Sequence, residues 1–186
     1  MGVTLVKCPS IITQLAGSKK VQQVLSETGV VEKFLPASLS SAVRSTFVGM
    51  HTLDDTPAGT AAAELALKSP EKYVLKPQRE GGGHNIYRNA IPDFLKSIPQ
   101  SHWPGYILME LIEPPEIHNA IVRAGQIFPS SVISELGIYG TILWDTSSGS
   151  IIHNAEAGHL LRTKSKDTDE GGVAAGFACI DSPRLV

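Results

Sequence analysis

The chain has 186 residues, 42% of them hydrophobic and 18% charged, a balance that excludes a disordered chain and allows one core or one core with a small appended lobe. Its formal charge of −2 and its scattered basic residues give no electrostatic footprint for nucleic acid or an anionic membrane, so neither is expected as a partner. Cys8 and Cys179 lie near opposite ends without paired spacing and read as reduced thiols.

The opening MGVTLVKCPSIITQL lacks the apolar core and cleavage site of a signal peptide, and Val6 stands where myristoylation needs Ser or Thr. A cytoplasmic location is the resulting expectation. The first third then reads as helical with short breaks. Ser18 is placed to cap a helix whose apolar positions Val21, Val24 and Leu25 recur at helical spacing, with Gly29 as its stop. Val31, Phe34 and Leu35 continue an apolar face before Pro36. Pro57 opens the Ala-rich run GTAAAELALKS, which favours helix, and Pro70 closes it.

After Pro70 the pattern changes. KYVLK, bounded by proline and rich in β-formers, predicts a strand, and AIPDFLKSI is a helix candidate. GYILMELI is a continuous apolar run that predicts a buried central strand. NAIVRAGQIF and GTILWDTSSGSIIHN each set a Gly-containing turn between strand-like segments and predict antiparallel hairpins. GHLLRTK is a further strand and GGVAAGFA a small-residue loop. Helices first and an antiparallel sheet later predict an α+β fold, with no repeat and no long linker.

Several nucleotide and metal signatures are missing. There is no GxxxxGK[ST], GGVAAG does not fit GxGxxG, and neither HExxH nor CxxC occurs. His153 and His159 lack a common zinc spacing. What remains is mixed charge beside glycine. In KPQREGGGHNIY, three glycines let backbone N–H groups turn toward an anion, Lys76 ends the preceding strand, and Glu80 is an oxygen ligand suited to Mg2+. The same stretch also reads as a hairpin whose glycines relieve turn strain. In HLLRTKSKDTDEGGVAAG, Arg162 and Lys164 are two apart and project from one strand face, with a small-residue loop at Gly171–Gly176 soon after. One exposed strand face with a flexible turn is the alternative there. Taken together, the two loops fit a polyanion held from two sides.

KPQREGGGHNIY, YILMELIEP, ISELGIYG and LLRTK…EGGVAAGFA…DSP, in that order and after TQLAGSKKVQQVL, resemble eukaryotic glutathione synthetase, an ATP-grasp ligase. The resemblance covers about Val6 to the C-terminus and corresponds to the C-terminal part of that longer family, without its upstream substrate-binding half. It implies an ATP-grasp type fold over residues 1–186. The implied reaction is ATP-dependent joining of γ-glutamylcysteine and glycine to give glutathione, ADP and phosphate through an acyl phosphate. Two other readings fit the same residues: a non-catalytic nucleotide-binding or interaction fragment, and a related ligase with another amino-acid acceptor.

The resemblance also assigns roles. Lys19 and Lys76 match lysines that contact ATP phosphates, Glu80 matches a Mg2+ ligand, and Gly81, Gly82 and Gly83 match a glycine-rich lid. Asn85 and Tyr87 fall on further nucleotide contacts. Met109, Glu110, Leu111 and Ile112 match the strand whose backbone meets the adenine, and Glu135 matches a ribose-side contact. Arg162 matches a substrate-carboxylate arginine and is the catalytic candidate. Lys164 and Glu170 match ATP contacts, while Val173 and Ala174 match the substrate loop. Two positions depart in kind: His84 stands where the family often has asparagine, and Glu170 is aspartate in some relatives. A homodimer is implied for the full-length family, and a chain lacking the upstream half is expected to expose apolar surface.

Overall fold

The computed structural model describes residues 10–79, 83–174, 176 and 178–184. The chain divides into two units, Met1–Ile112 and Glu113–Val186.

In the first unit, two serines start two helices by the same device. Ser10 accepts the N–H of Thr13 to open α1 (Ile11–Ala16), and Ser18 accepts that of Val21 to open α2 (Lys19–Ser26). Each satisfies a donor the first helical turn leaves unpaired. The helix expected after Ser18 is therefore present, but it ends at Ser26 and not at Gly29. Glu27 is extended with ψ 146° while its N–H closes on the Val24 carbonyl, and Gly29, at φ 82°, turns the chain toward a 3-10 turn at Val31–Lys33. A further helix, α3 (Ala37–Arg44), follows Pro36. Arg44 reaches back to the carbonyls of Ser26 and Glu27 and pairs with Glu32, fastening the end of α2 to α3. The Ala-rich helix α4 (Pro57–Lys68) begins at Pro57 as expected, with Thr56 accepting the N–H of Gly59, and α5 spans Ala90–Ser97.

Four strands, β1 (Met50–Thr52), β2 (Tyr73–Pro77), β3 (Ile86–Tyr87) and β4 (Tyr106–Glu110), form an antiparallel sheet in the order β1-β4-β2-β3. The expected central strand is central. It stops at Glu110, short of the full apolar run, because its partners end there: Glu110 pairs with Tyr73, the first residue of β2, and Met109 with Met50, the first of β1. One sheet face meets α4 and α5. Tyr73, Leu75 and Leu108 pack there with Leu53, Ala62, Ala66, Ile91 and Leu95, all buried. Full burial of each large aliphatic side chain is worth about 1.5–3 kcal/mol. Because side chains alternate, the register puts Met50, Thr52, Val74, Lys76, Tyr87, Ile107 and Met109 on the other face.

The second unit is a single antiparallel sheet, β5 (Ile117–Arg123), β6 (Gln126–Trp144), β7 (Ile151–Ser165) and β8 (Cys179–Asp181), in chain order. Both expected hairpins are formed. The first turns on Ala124 and Gly125 with φ 49° and 76°, the positive values a two-residue hairpin turn requires. At the second turn Asp145 accepts the N–H and hydroxyl of Ser147. GTILW is no separate strand but the far end of β6, a strand of 19 residues. Register shifts at Tyr139/Gly140 and Leu143/Trp144 absorb its extra length. Leu136, Ile138, Ile142, Leu143, Ile151 and Ile152 along this hairpin are exposed. With all the described α-helices in the first unit and antiparallel pairing throughout, the fold is α+β.

Candidate functional site

The first-unit residues gather on the sheet face away from the helical core. Lys76, partly buried, sits on β2 beside Ile107 of the central strand, and Tyr87 pairs across with Val74 on the same face. Asn85, at the entry to β3, donates its side-chain amide to the Tyr87 hydroxyl at 3.1 Å. Met109 presents its side chain to this face as well. Gly83 takes φ 71°, a conformation glycine adopts without steric cost. Glu80, Gly81 and Gly82 lie outside the described residues.

Lys19 occupies the first position of α2. Its side chain has no hydrogen bond or ion pair among the described residues, in contrast to its neighbour. Lys20 donates its ammonium to Thr52 Oγ1 at 3.1 Å and its backbone N–H to Gln78 Oε1 at 3.0 Å. Its charge also helps hold the Asp54 carboxyl below its usual range, after the larger effects of hydrogen bonds from Thr56 and Thr52.

The stretch Met109–Ile112 is only half strand. Glu110 lies on the core side of the sheet, where its side chain accepts the N–H of Gly49 at 3.0 Å, and its own N–H goes to the Gly49 carbonyl. Leu111 donates its N–H to the carbonyl of Lys72. The Ile112 N–H has no partner among the described residues, and its side chain is exposed.

In the second unit Glu135 and Arg162 stand directly opposite one another on β6 and β7 and form an ion pair. Lys164, on the same face, is buried and folds its ammonium onto the carbonyl of Asp169 at 2.8 Å. That bond draws the segment leading to Glu170 over the sheet. A Cβ on Gly171 would lie 3.1 Å from Glu135 Oε1, so the loop presses close to the ion pair. Glu170 precedes this glycine, and Val173 and Ala174 form the turn beyond it, where the Val173 carbonyl accepts the N–H of Gly176. Three predicted residues, Glu135, Arg162 and Lys164, are therefore brought together with the start of the predicted substrate loop.

The chemistry of these groups suits an anion. Ammonium and guanidinium groups neutralise phosphate and carboxylate charge, and a guanidinium offers a fork to a carboxylate. Among the described residues no group of three or more His, Cys, Asp or Glu could hold a metal ion. No helix is long and apolar enough to cross a membrane among the described residues. Gln78, Lys20 and Thr52 were not singled out from sequence. The signals available were the lysine doublet in GSKK and a glutamine two residues beyond Lys76.

Comparison with known proteins identifies relatives of the chain. The family model for the ATP binding domain of eukaryotic glutathione synthase matches residues 2–185. The glutathione synthetase large chain of Schizosaccharomyces pombe is 48% identical over 180 residues, which cover 97% of this chain and 36% of that one. Glutathione synthetase of Homo sapiens is 45% identical over 183 residues, covering 95% of this chain and 38% of the human one. Among solved structures, the apo form of a glutathione synthetase-like effector from Globodera pallida superposes with a TM-score of 0.70 at 27% identity, covering 98% of this chain and 37% of that one. The chain thus spans little more than a third of the length of these relatives. It belongs to the family of eukaryotic glutathione synthase ATP-binding domains.

Proposed function

We propose that this chain supplies the ATP-binding part of a ligase that joins γ-glutamylcysteine to glycine. The observation that carries the reading is the gathering of Lys76, Tyr87 and Met109 on one sheet face, opposite a closed apolar core. A nucleotide on that face meets Met109 and the backbone N–H of Ile112 at one end and the lysines at the other. Lys76 and Lys19 neutralise the phosphates, with Gly81, Gly82 and Gly83 as the covering loop and Asn85 and Tyr87 at its return. Phosphoryl transfer depends mainly on such positioning and neutralisation. Mg2+, held by phosphate oxygens and Glu80, would add charge neutralisation when bound.

In the reaction, a cysteinyl carboxylate oxygen attacks the γ-phosphorus and ADP leaves. The glycine amine then attacks the acyl carbon, loses a proton, and phosphate departs. By the resemblance, Arg162 is assigned to a substrate carboxylate, Lys164 and Glu170 to ATP, and Val173 and Ala174 to the substrate loop. Glu135 is the ribose-side residue and the local partner of Arg162. The relatives are nearly three times as long as this chain, which covers 36% and 38% of two of them, and the resemblance implies a homodimer for the full-length family.

Mg-ATP titration of the full chain followed by calorimetry tests the reading. Saturable binding that Lys76→Ala weakens by about tenfold or more is expected when a charge-assisted hydrogen bond to phosphate is removed. An absence of binding at millimolar Mg-ATP by folded protein would remove the basis for it. A coupled ADP assay with γ-glutamylcysteine and glycine reports whether the chain turns over.

A further inference from the structure

One hydrogen bond joins two parts of the phosphate machinery across 58 residues of sequence: the Lys20 N–H to Gln78 Oε1, at 3.0 Å. We propose that Gln78 is a positioning residue for the nucleotide phosphates, fixing the first turn of α2, and so Lys19, against the strand that carries Lys76. This rests on the ATP reading given above.

The geometry is specific. Lys19 and Lys20 are the first two residues of α2, whose opening N–H groups have no partners inside the helix. Ser18 takes that of Val21 at 3.5 Å, the outer limit of a hydrogen bond, and Gln78 takes that of Lys20 at a better distance. The cap on this helix is therefore shared between a local serine and a glutamine at the end of β2. Gln78 is itself held. It follows Pro77, which is buried, has a restricted φ and pairs with Tyr106, and its own N–H reaches the Gly105 carbonyl at 3.3 Å. The Lys20 ammonium ties the same turn to Thr52 on β1. The doublet divides its labour: Lys20 anchors the helix, while the Lys19 side chain has no partner among the described residues.

The consequence is a defined spacing between two cations attached to different elements. Reaction geometry is sensitive to shifts near 1 Å, so a loose α2 would weaken the hold on the phosphates while sparing the hold on the base. That asymmetry separates positioning from general stability.

The test measures affinities of the full chain for Mg-ATP and for adenosine, alongside the melting temperature. Gln78→Met keeps the length and removes the acceptor. The expected result is an ATP affinity reduced by roughly tenfold, the effect of one weakened charge-assisted hydrogen bond, with adenosine affinity held within about twofold. Lys20→Ala retains its backbone N–H and therefore the Gln78 bond, so it should lose less ATP affinity than Lys19→Ala. Unchanged ATP affinity in Gln78→Met, or equal loss for ATP and adenosine, overturns the proposal while leaving the ATP reading intact. If the parent chain binds neither ligand, both fall together.

Discussion

Glu135 and Arg162 face each other directly across β6 and β7, and the carboxylate holds the guanidinium in an ion pair. The two side chains are 45% and 41% exposed, so water screens the attraction. Such a pair fixes direction more than it adds stability. A guanidinium has five donors, and the pairing with Glu135 does not use them all.

The first prediction concerns that balance. Glu135→Gln should change the free energy of unfolding by less than about 1 kcal/mol, as is usual for exposed pairs. The difference from the parent should shrink further at 1 M salt, where the Debye length is only about 3 Å. Thermal melts of both proteins at low and high salt check this. A large, salt-insensitive loss would mean that Glu135 is a structural residue of the loop at Gly171 and not a steering group for Arg162.

A second prediction runs against helix propensity. Alanine in place of glycine inside a helix normally stabilises by about 0.8–1 kcal/mol. Gly59 in α4 is an exception, because an added Cβ would lie 2.0 Å from the Asp54 carbonyl oxygen and 2.8 Å from the Asp54 nitrogen. Both atoms are backbone and cannot swing aside. Gly59→Ala should therefore destabilise by at least about 1–3 kcal/mol, the usual scale of overpacking, and lower the melting temperature accordingly. A raised melting temperature would show that the turn at Asp54–Thr56 relaxes at little cost.

How much of this was legible in the sequence depends on where each signal lies. Ser18, Pro57 and Pro70 punctuate their helices locally, and the glycine turns of both hairpins are local too, so those elements could be read. β1, β3 and β8 have three, two and three residues, too few for periodicity, and exist because a partner strand aligns them. α1 offers no buried residue to reveal a packed face. The site divides in the same way. Arg162 and Lys164 share a face by simple alternation, whereas Glu135 meets Arg162 only through the register of a hairpin that contains bulges. The bond between Lys20 and Gln78 is purely tertiary and leaves no spacing to find. The motif resemblance singled out Lys76, Tyr87 and Met109 as expected nucleotide contacts, and the sheet register puts them on one face.

Acid should loosen the α2–α3 clamp. Glu32 is lowered from 4.5 to about 2, chiefly by its hydrogen bonds from Arg44, one of them 2.6 Å long. A carboxylate whose folded pKa is depressed contributes stability that is fully present above its unfolded pKa and is lost as pH falls through the folded value. The window here runs from about pH 4.5 down to about 2. Other carboxylates, including Glu64 and Asp145, are also lowered by hydrogen bonds, so the parent chain alone cannot isolate the effect. Comparison with Glu32→Gln does: the variant should lose less stability than the parent between pH 5 and pH 2.5, roughly the interval over which a paired carboxylate titrates. Parallel curves for the two proteins would mean that the pair is too well solvated to matter.

The strand that follows the predicted substrate loop is held by a buried hydroxyl. Thr163 on β7 is 3% exposed and lies between Ser134 on β6, at 2.8 Å, and Asp181 on β8, at 2.7 Å. Its single proton goes to the Asp181 carboxylate, so the Ser134 hydroxyl donates to Thr163 and the order of the chain is fixed. The Cys179 thiol adds a bond to the Thr163 carbonyl at 3.3 Å. With only three residues, β8 has few ladder bonds, and these side-chain bonds fasten the far end of the loop that carries Val173 and Ala174. Thr163→Val keeps the shape but strands two polar partners, at a cost of about 1–3 kcal/mol. Thr163→Ser restores the hydroxyl and should recover most of that loss. Amide hydrogen exchange at Cys179–Asp181 should accelerate in the valine variant and return toward the parent rate in the serine variant. If the valine variant keeps parental protection, the backbone ladder alone holds β8 and the hydroxyl relay has no anchoring role.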